Sequence, residues 1–104
     1  MNVTKLLEDY HMRIISATHQ RPLSVQEMNR GLGVPIASAY RIVRELVADG
    51  MLTVAETKRA RSTSGQAENF YLSMVRQIRV VMKDGKVTAR VELASGTVLN
   101  EEVC

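Results

Sequence analysis

The stretch LSVQEMNRGLGVPIASAYRIVRELVADG, residues 23–50, decides the fold. It opens with the pattern of a capping box, because Ser24 can accept a hydrogen bond from the Glu27 amide while the Glu27 side chain reaches back to the Ser24 amide. A short helix is predicted to follow. Gly31 and Gly33 are predicted to end this helix, since glycine tolerates the left-handed backbone of a helix stop.

A second helix is predicted over residues 35–49. Pro35 suits its first position, where the missing amide hydrogen costs nothing. Gly50 suits the residue after its end. Its apolar stripe is predicted to consist of Ala39, Ile42, Val43 and Leu46. Two helices joined by a tight turn of this kind form a helix-turn-helix.

The flanking segments complete one compact unit. Apolar residues at helical spacing predict a first helix from Val3 to about residues 16–18, before the break at Pro22. Residues 51–55 and 70–75 predict a pair of strands. Residues 56–69 between them are polar and contain too few apolar side chains to pack, so they are predicted to form an exposed hairpin loop.

A second hairpin is predicted around Asp84-Gly85, which is a favoured two-residue turn. This turn sets the register, placing the apolar pairs on one face and Arg79 directly opposite Arg90 on the other. The apolar face needs cover, either from its own domain or from a second chain. Residues 94–104 could form a strand, a short helix or a frayed end. The apolar face is predicted to contain Ile78, Val80, Met82, Val87, Ala89 and Val91.

Composition narrows the class of protein. The chain has 104 residues, 45% of them hydrophobic, which fits one packed globular domain. Aromatic residues make up 4%, which argues against a base-stacking RNA platform. The net charge is +3. The single cysteine, Cys104, excludes an intrachain disulfide, and no apolar run approaches the about 20 residues of a membrane span. We therefore expect a cytoplasmic protein without membrane association or a signal peptide.

Nothing in the sequence indicates catalysis. His11, His19 and Cys104 show no spacing typical of a metal site, and His11 is expected at the surface or boundary of the first helix. Nucleophile–base pairs, glycine-rich phosphate loops and paired carboxylates are missing from the sequence. We expect no enzymatic activity, no metal and no cofactor.

The order helix, short helix, tight turn, helix and hairpin resembles the winged helix-turn-helix regulators. Residues 23–34 resemble their second helix and turn, residues 35–46 their recognition helix, and residues 47–52 the exit into the first wing strand. The superfamily includes the MarR, ArsR and IclR-type DNA-binding domains. The resemblance covers residues 3–75 and implies an α+β fold of three helices and a β-hairpin wing, here with an extra C-terminal β-hairpin.

The resemblance also implies a domain organisation and a function. Residues 1–75 would form the DNA-binding domain, and residues 76–104 a hairpin extension packed on it or at a dimer interface. The implied function is a sequence-specific transcriptional regulator on double-stranded DNA. Its helix 35–49 would enter the major groove and its wing 56–69 would contact the minor groove or phosphates. The predicted DNA-contacting residues are Ala37, Ser38, Tyr40, Arg41, Arg44, Lys58, Arg59, Arg61 and Ser62.

Other interpretations remain open. The paired Arg79 and Arg90 are either splayed in solvent or a contact for an anion or a partner's carboxylate. Regulators of this kind commonly dimerise, so a homodimer is expected. The same fold could instead serve as a protein–protein interaction module or accessory subunit, or coat DNA without sequence preference.

Overall fold

The computed structural model describes residues 3–59 and 67–103. Two antiparallel sheets follow the helices in the chain, one of two strands and one of three. This is the α+β winged helix-turn-helix that the sequence predicts. The elements are a 3₁₀ helix (Val3–Leu7), α1 (Asp9–Gln20), α2 (Val25–Leu32), α3 (Ile36–Ala48), β1 (Leu52–Arg59), β2 (Ala67–Ser73), β3 (Val75–Lys83), β4 (Lys86–Leu93) and β5 (Val98–Glu102).

The first helical segment begins at Val3 as predicted but differs from its prediction in two ways. It is divided into the 3₁₀ helix and α1, and α1 continues to Gln20 instead of stopping at residues 16–18. Arg21 then takes an extended backbone, with φ −162° and ψ 158°. This conformation is the one favoured before proline, so Pro22 ends the helix two to four residues later than predicted.

The capping box at the start of α2 is confirmed. The Glu27 amide donates to Ser24 Oγ at 3.1 Å, and the Ser24 amide donates to Glu27 Oε1 at 3.1 Å. Gly33 follows α2 with φ +68°, the left-handed conformation of a helix stop. The prediction for Gly31 is wrong, because Gly31 lies inside the helix. The turn is held further by Asn29, whose side chain donates to the Val34 carbonyl at 2.8 Å.

Pro35 precedes α3 instead of occupying its first position. Its φ of −54° and ψ of 140° are those of a cap, and its carbonyl accepts the first helical hydrogen bond from the Ala39 amide at 2.8 Å. The predicted stripe is buried in full. Gly50, with φ +76°, takes the predicted place after the C-cap Asp49.

One core joins the helices to both sheets. Leu23 and Tyr71 exchange two backbone hydrogen bonds of 3.0 and 2.8 Å, which tie the start of the helix-turn-helix to β2. Met74 links the sheets, because its amide donates to the Met51 carbonyl and its own carbonyl accepts from the Ala94 amide. The largest completely buried apolar side chains are Leu6, Ile14, Met28, Val34, Ile42, Leu46, Met51 and Val91.

The wing strands are longer than the sequence predicts. Residues 56–59 pair with residues 67–70, so half of the stretch 56–69 that was predicted as a loop forms the paired strands of a β-hairpin. Both faces of this extension are largely exposed, and cross-strand polar contacts hold it. The Thr57 hydroxyl, for example, donates to Asn69 Oδ1 at 2.9 Å. Apolar patterning therefore could not reveal these strands.

The C-terminal hairpin has the predicted register, from Lys83 opposite Lys86 to Gln77 opposite Glu92. Asp84 and Gly85 have φ values of 52° and 77°, as a turn of the primed type requires. The tail resolves into β5, which pairs with β4. The predicted two-stranded extension is therefore a three-stranded sheet, because β5 satisfies the free edge of β4.

The apolar face of this sheet is covered over part of its length. Val3 and Leu6 of the 3₁₀ helix are buried in the same core cluster as Ala89 and Val91. The Thr4 amide adds a hydrogen bond of 3.3 Å to Glu101 Oε2 on β5. Towards the hairpin tip the cover ends, leaving Val80 51% and Met82 74% exposed. No helix within residues 3–59 or 67–103 has the length and apolar character of a membrane span.

Candidate nucleic-acid interface

The outer surface of α3 presents the side chains predicted to contact DNA. Ala37, Tyr40, Arg41 and Arg44 are exposed, on the side opposite the buried stripe. Their spacing of three to four residues places them along one face of the helix. Ser38 is half-buried at the border of this face. The structure therefore brings four of the five predicted α3 residues together on one accessible surface.

The two arginines of this face differ in their partners. Arg41 forms an ion pair with Glu45 one turn later, with Nη1 3.4 Å from Oε1. Arg44 is exposed, and within the described part of the chain it forms no ion pair. Because both arginine side chains lie at the surface, each can reach a phosphate or a base edge with little loss of existing contacts.

The first turn of α3 carries a feature that was missed in the sequence. Ile36 is exposed, four residues before the half-exposed Tyr40. This spacing places two apolar side chains at the N-terminal end of the helix, the end that faces the bases in helix-turn-helix complexes. In the sequence, the available indication was that Ile36 is apolar but does not belong to the buried stripe of this helix. Pro35 offers no side-chain cap, so the first amides of the helix have no such partner.

The wing cations do not share a face. Lys58 Nζ lies 3.3 Å from Glu56 Oε1 and 5.0 Å from the centre of the Phe70 ring. Arg59 projects to the other face because successive strand residues alternate. Along the described residues, Arg59 makes no ion pair. The predicted contacts Arg61 and Ser62 lie outside the described residues.

Arg79 and Arg90 lie directly opposite each other on β3 and β4, as predicted, and both are exposed. Glu92, which could have relieved their repulsion, lies 3.8 Å from Arg76 instead. Neither Arg79 nor Arg90 forms an ion pair with any residue the structure describes. The outer face of the C-terminal sheet thus holds two adjacent positive charges, neither of them ion-paired with a carboxylate of the described residues.

His11 is buried, contrary to its predicted surface or boundary position. It is 1% exposed and lies between the carboxylates of Glu8 and Glu45. The helical pattern of α1 does place it beside the buried Ile14 and Ile15, which was the available signal. In the parts of the chain that the structure describes, no three His, Cys, Asp or Glu side chains form a metal site.

The fold and this surface define a winged helix-turn-helix protein. Residues 17–56 match the family model of the IclR helix-turn-helix domain. The match runs from α1 through α2 and α3 into β1, so it contains the whole exposed face of α3 and ends before Lys58. It supports DNA binding and a role in transcription regulation. No curated protein matches the chain.

Proposed function

We propose that the protein is a sequence-specific regulator of transcription that binds double-stranded DNA in the cytoplasm, with α3 in the major groove. The observation that carries this proposal is the accessible face of Ala37, Tyr40, Arg41 and Arg44 on the second helix of a helix-turn-helix. This helix enters the major groove in complexes of this architecture. An α-helix fits that groove, where each base pair presents a distinct pattern of donors and acceptors.

Each α3 residue has a role in this proposal. Arg41 reads a guanine through two hydrogen bonds, since the planar guanidinium matches the two acceptors on its major-groove edge. Arg44, a turn later, contacts a phosphate. Ser38 donates to a base or phosphate oxygen. Ala37 and Tyr40 contact sugar or a thymine methyl group, and the exposed Ile36 extends this apolar contact.

The wing supplies a second contact. Its strands continue to Arg59 and resume at Ala67, so residues 60–66 lie between two paired strands. We assign Lys58, Arg59, Arg61 and Ser62 to the minor groove or the flanking phosphates, where arginine is favoured by the negative potential of a narrow groove. Arg59 carries most of this role because its guanidinium is unpaired within the described residues.

The C-terminal sheet has two roles in the proposal. Arg79 and Arg90 bind an anion, which would relieve the repulsion between two opposed cations. On the other face, Val80 and Met82 meet their counterparts in a second copy of the chain, since this apolar end lies beyond the cover of the 3₁₀ helix. A homodimer would pair with a two-fold symmetric operator. Residues 76–104 would then be the dimerisation extension of the DNA-binding domain 1–75.

Selection of binding sites from a random duplex pool, followed by sequencing, tests the proposal. We expect one enriched motif, and binding to it should weaken with salt by about 0.9 in log affinity per phosphate neutralised. Equal retention of unrelated duplexes would indicate non-specific coating instead. No retention of DNA, with recovery of a stoichiometric protein partner, would indicate an interaction module.

A further inference from the structure

Three buried polar atoms without hydrogen-bond partners meet between α1 and α3. They are Nδ1 and Nε2 of His11 and Oε2 of Glu45. Proteins pair nearly all of their buried polar atoms, so a cluster of this kind calls for a physical reason. This cluster adjoins the α3 face proposed to contact DNA, because Glu45 also forms the ion pair with Arg41 on that face.

The imidazole of His11 has a carboxylate on each side. Nδ1 lies 3.7 Å from Glu8 Oε2, and Nε2 lies 3.8 Å from Glu45 Oε2. Both separations exceed hydrogen-bond distance, so the contacts are electrostatic, and two flanking carboxylates attract the imidazolium more strongly than the neutral ring. The other charged groups of the cleft beside Glu45 are Lys5 of the 3₁₀ helix and Asp49 at the end of α3.

The same carboxylate connects His11 to Arg41. Glu45 Oε1 lies 3.4 Å from Arg41 Nη1 while its second oxygen faces His11. We infer that Glu45 and His11 are positioning residues, which set how freely Arg41 leaves the helix surface for DNA. This inference rests on the proposed DNA-binding function.

Protonation of His11 shifts the equilibrium between free and DNA-bound protein towards the bound state. The imidazolium partly offsets the negative charge of Glu45, so the attraction between Glu45 and Arg41 weakens. Arg41 is then released towards a base or phosphate. By linkage, DNA binding favours the protonated state and proton uptake favours DNA binding. Affinity for DNA is therefore higher when His11 is protonated than when it is neutral.

The experiment is a titration of the full chain with its selected duplex at pH 8.0 and pH 5.5, at constant ionic strength. The wild type should bind about 2- to 5-fold more tightly at the lower pH, the size of effect expected for exposed ion pairs. His11→Gln should lose this pH dependence. Glu45→Gln should also lose it and should bind at pH 8.0 at least as tightly as the wild type. His19→Gln, which changes an exposed histidine, should retain it.

The outcomes separate this inference from the proposed function. If Glu45→Gln and wild type tighten equally at pH 5.5, the inference is wrong although DNA binding stands. If the wild type binds no duplex at either pH, the proposed function fails, and the inference with it. Far-UV circular dichroism checks the fold of His11→Gln. Should that variant unfold, Glu45→Gln decides the question. This second variant is expected to fold, because the Glu45 side chain is 34% exposed and glutamine is a good helix former.

Discussion

Lys58 and Arg59 are neighbours in the chain but lie on opposite faces of the wing. The Lys58 ammonium is engaged by Glu56 and lies over the Phe70 ring, whereas Arg59 forms no ion pair with any described residue. Two cations that look equivalent in the sequence therefore differ in how many existing contacts they lose when they bind a DNA phosphate. Moving Lys58 to a phosphate would break two existing contacts, and moving Arg59 would break no ion pair that the structure describes.

This difference predicts unequal effects in the wing. Arg59→Gln should lower affinity for the selected duplex and reduce the salt slope by about 0.9, the contribution of one phosphate contact. Lys58→Gln is the matched control and should reduce both less. Fluorescence anisotropy titrations at several salt concentrations measure the two slopes. Equal losses for both variants would contradict the assignment of the main wing contact to Arg59.

A larger effect is predicted on α3. Arg41→Ala should weaken binding to the selected duplex by about 1–3 kcal/mol, the usual cost of losing a bidentate base contact. Arg76→Ala removes another exposed, ion-paired arginine from the start of β3 and should change affinity far less. Titrations of both variants at one salt concentration make the comparison. Similar losses in the two would indicate a general charge effect.

The two glycines near the end of α2 should respond in opposite directions to alanine. Gly31 lies in the helix with open space around its missing Cβ, so Gly31→Ala should raise the free energy of unfolding by up to about 1 kcal/mol. Gly33 has φ +68°, so Gly33→Ala should lower it by about 1 kcal/mol. Urea denaturation measures both. Stabilisation by Gly33→Ala would contradict the left-handed geometry of this turn.

The capping box predicts a further loss of stability. Ser24→Ala removes the hydroxyl that accepts from the Glu27 amide and should lower the free energy of unfolding by about 1 kcal/mol. Ser16→Ala is the control, since Ser16 is exposed within α1 and alanine has the higher helix propensity. It should be neutral or slightly stabilising in the same denaturation experiment. A neutral Ser24→Ala would show that the cap adds little.

The proposed dimer is tested at the hairpin tip. Met82→Lys places a charge on the exposed apolar face and should weaken self-association at least about tenfold, since burying an unpaired charge is costly. Val81→Lys is the control, because Val81 is also exposed but lies on the opposite face. Sedimentation equilibrium measures the association constant. Equal behaviour of the two variants would exclude this face as the interface.

The elements that the sequence predicts correctly depend on interactions between residues close together in the chain. Ser24 and Glu27 mark the start of α2, and Asp84-Gly85 sets the cross-strand pairs of the β3–β4 hairpin from Lys83 opposite Lys86 to Gln77 opposite Glu92, because both patterns act locally; a register shift then follows between Gln77 and Val75. The family match to residues 17–56 includes Ser24 and Glu27 but not Asp84-Gly85. The exposed face of α3 followed from helical spacing alone.

The remainder depends on contacts distant in sequence. The strands at residues 56–59 and 67–70 have little apolar patterning and exist through cross-strand polar pairs. β5 is a strand because it covers the edge of β4 and meets the 3₁₀ helix from the other end of the chain. The buried His11 of α1 lies 3.8 Å from Glu45 of α3, a contact between residues distant in the sequence. Local patterns do not reveal the two strand segments, whereas the helical spacing of His11 from Ile14 and Ile15 was a local signal of its burial.

Binding-site selection carried out in parallel with the wild type and Arg41→Ala tests most directly whether α3 reads DNA sequence. We predict that the wild type enriches one motif and that Arg41→Ala enriches the same motif with its preference lost at one base pair of each half-site. An unchanged motif from Arg41→Ala, or no enriched motif from the wild type, would contradict base reading by this helix.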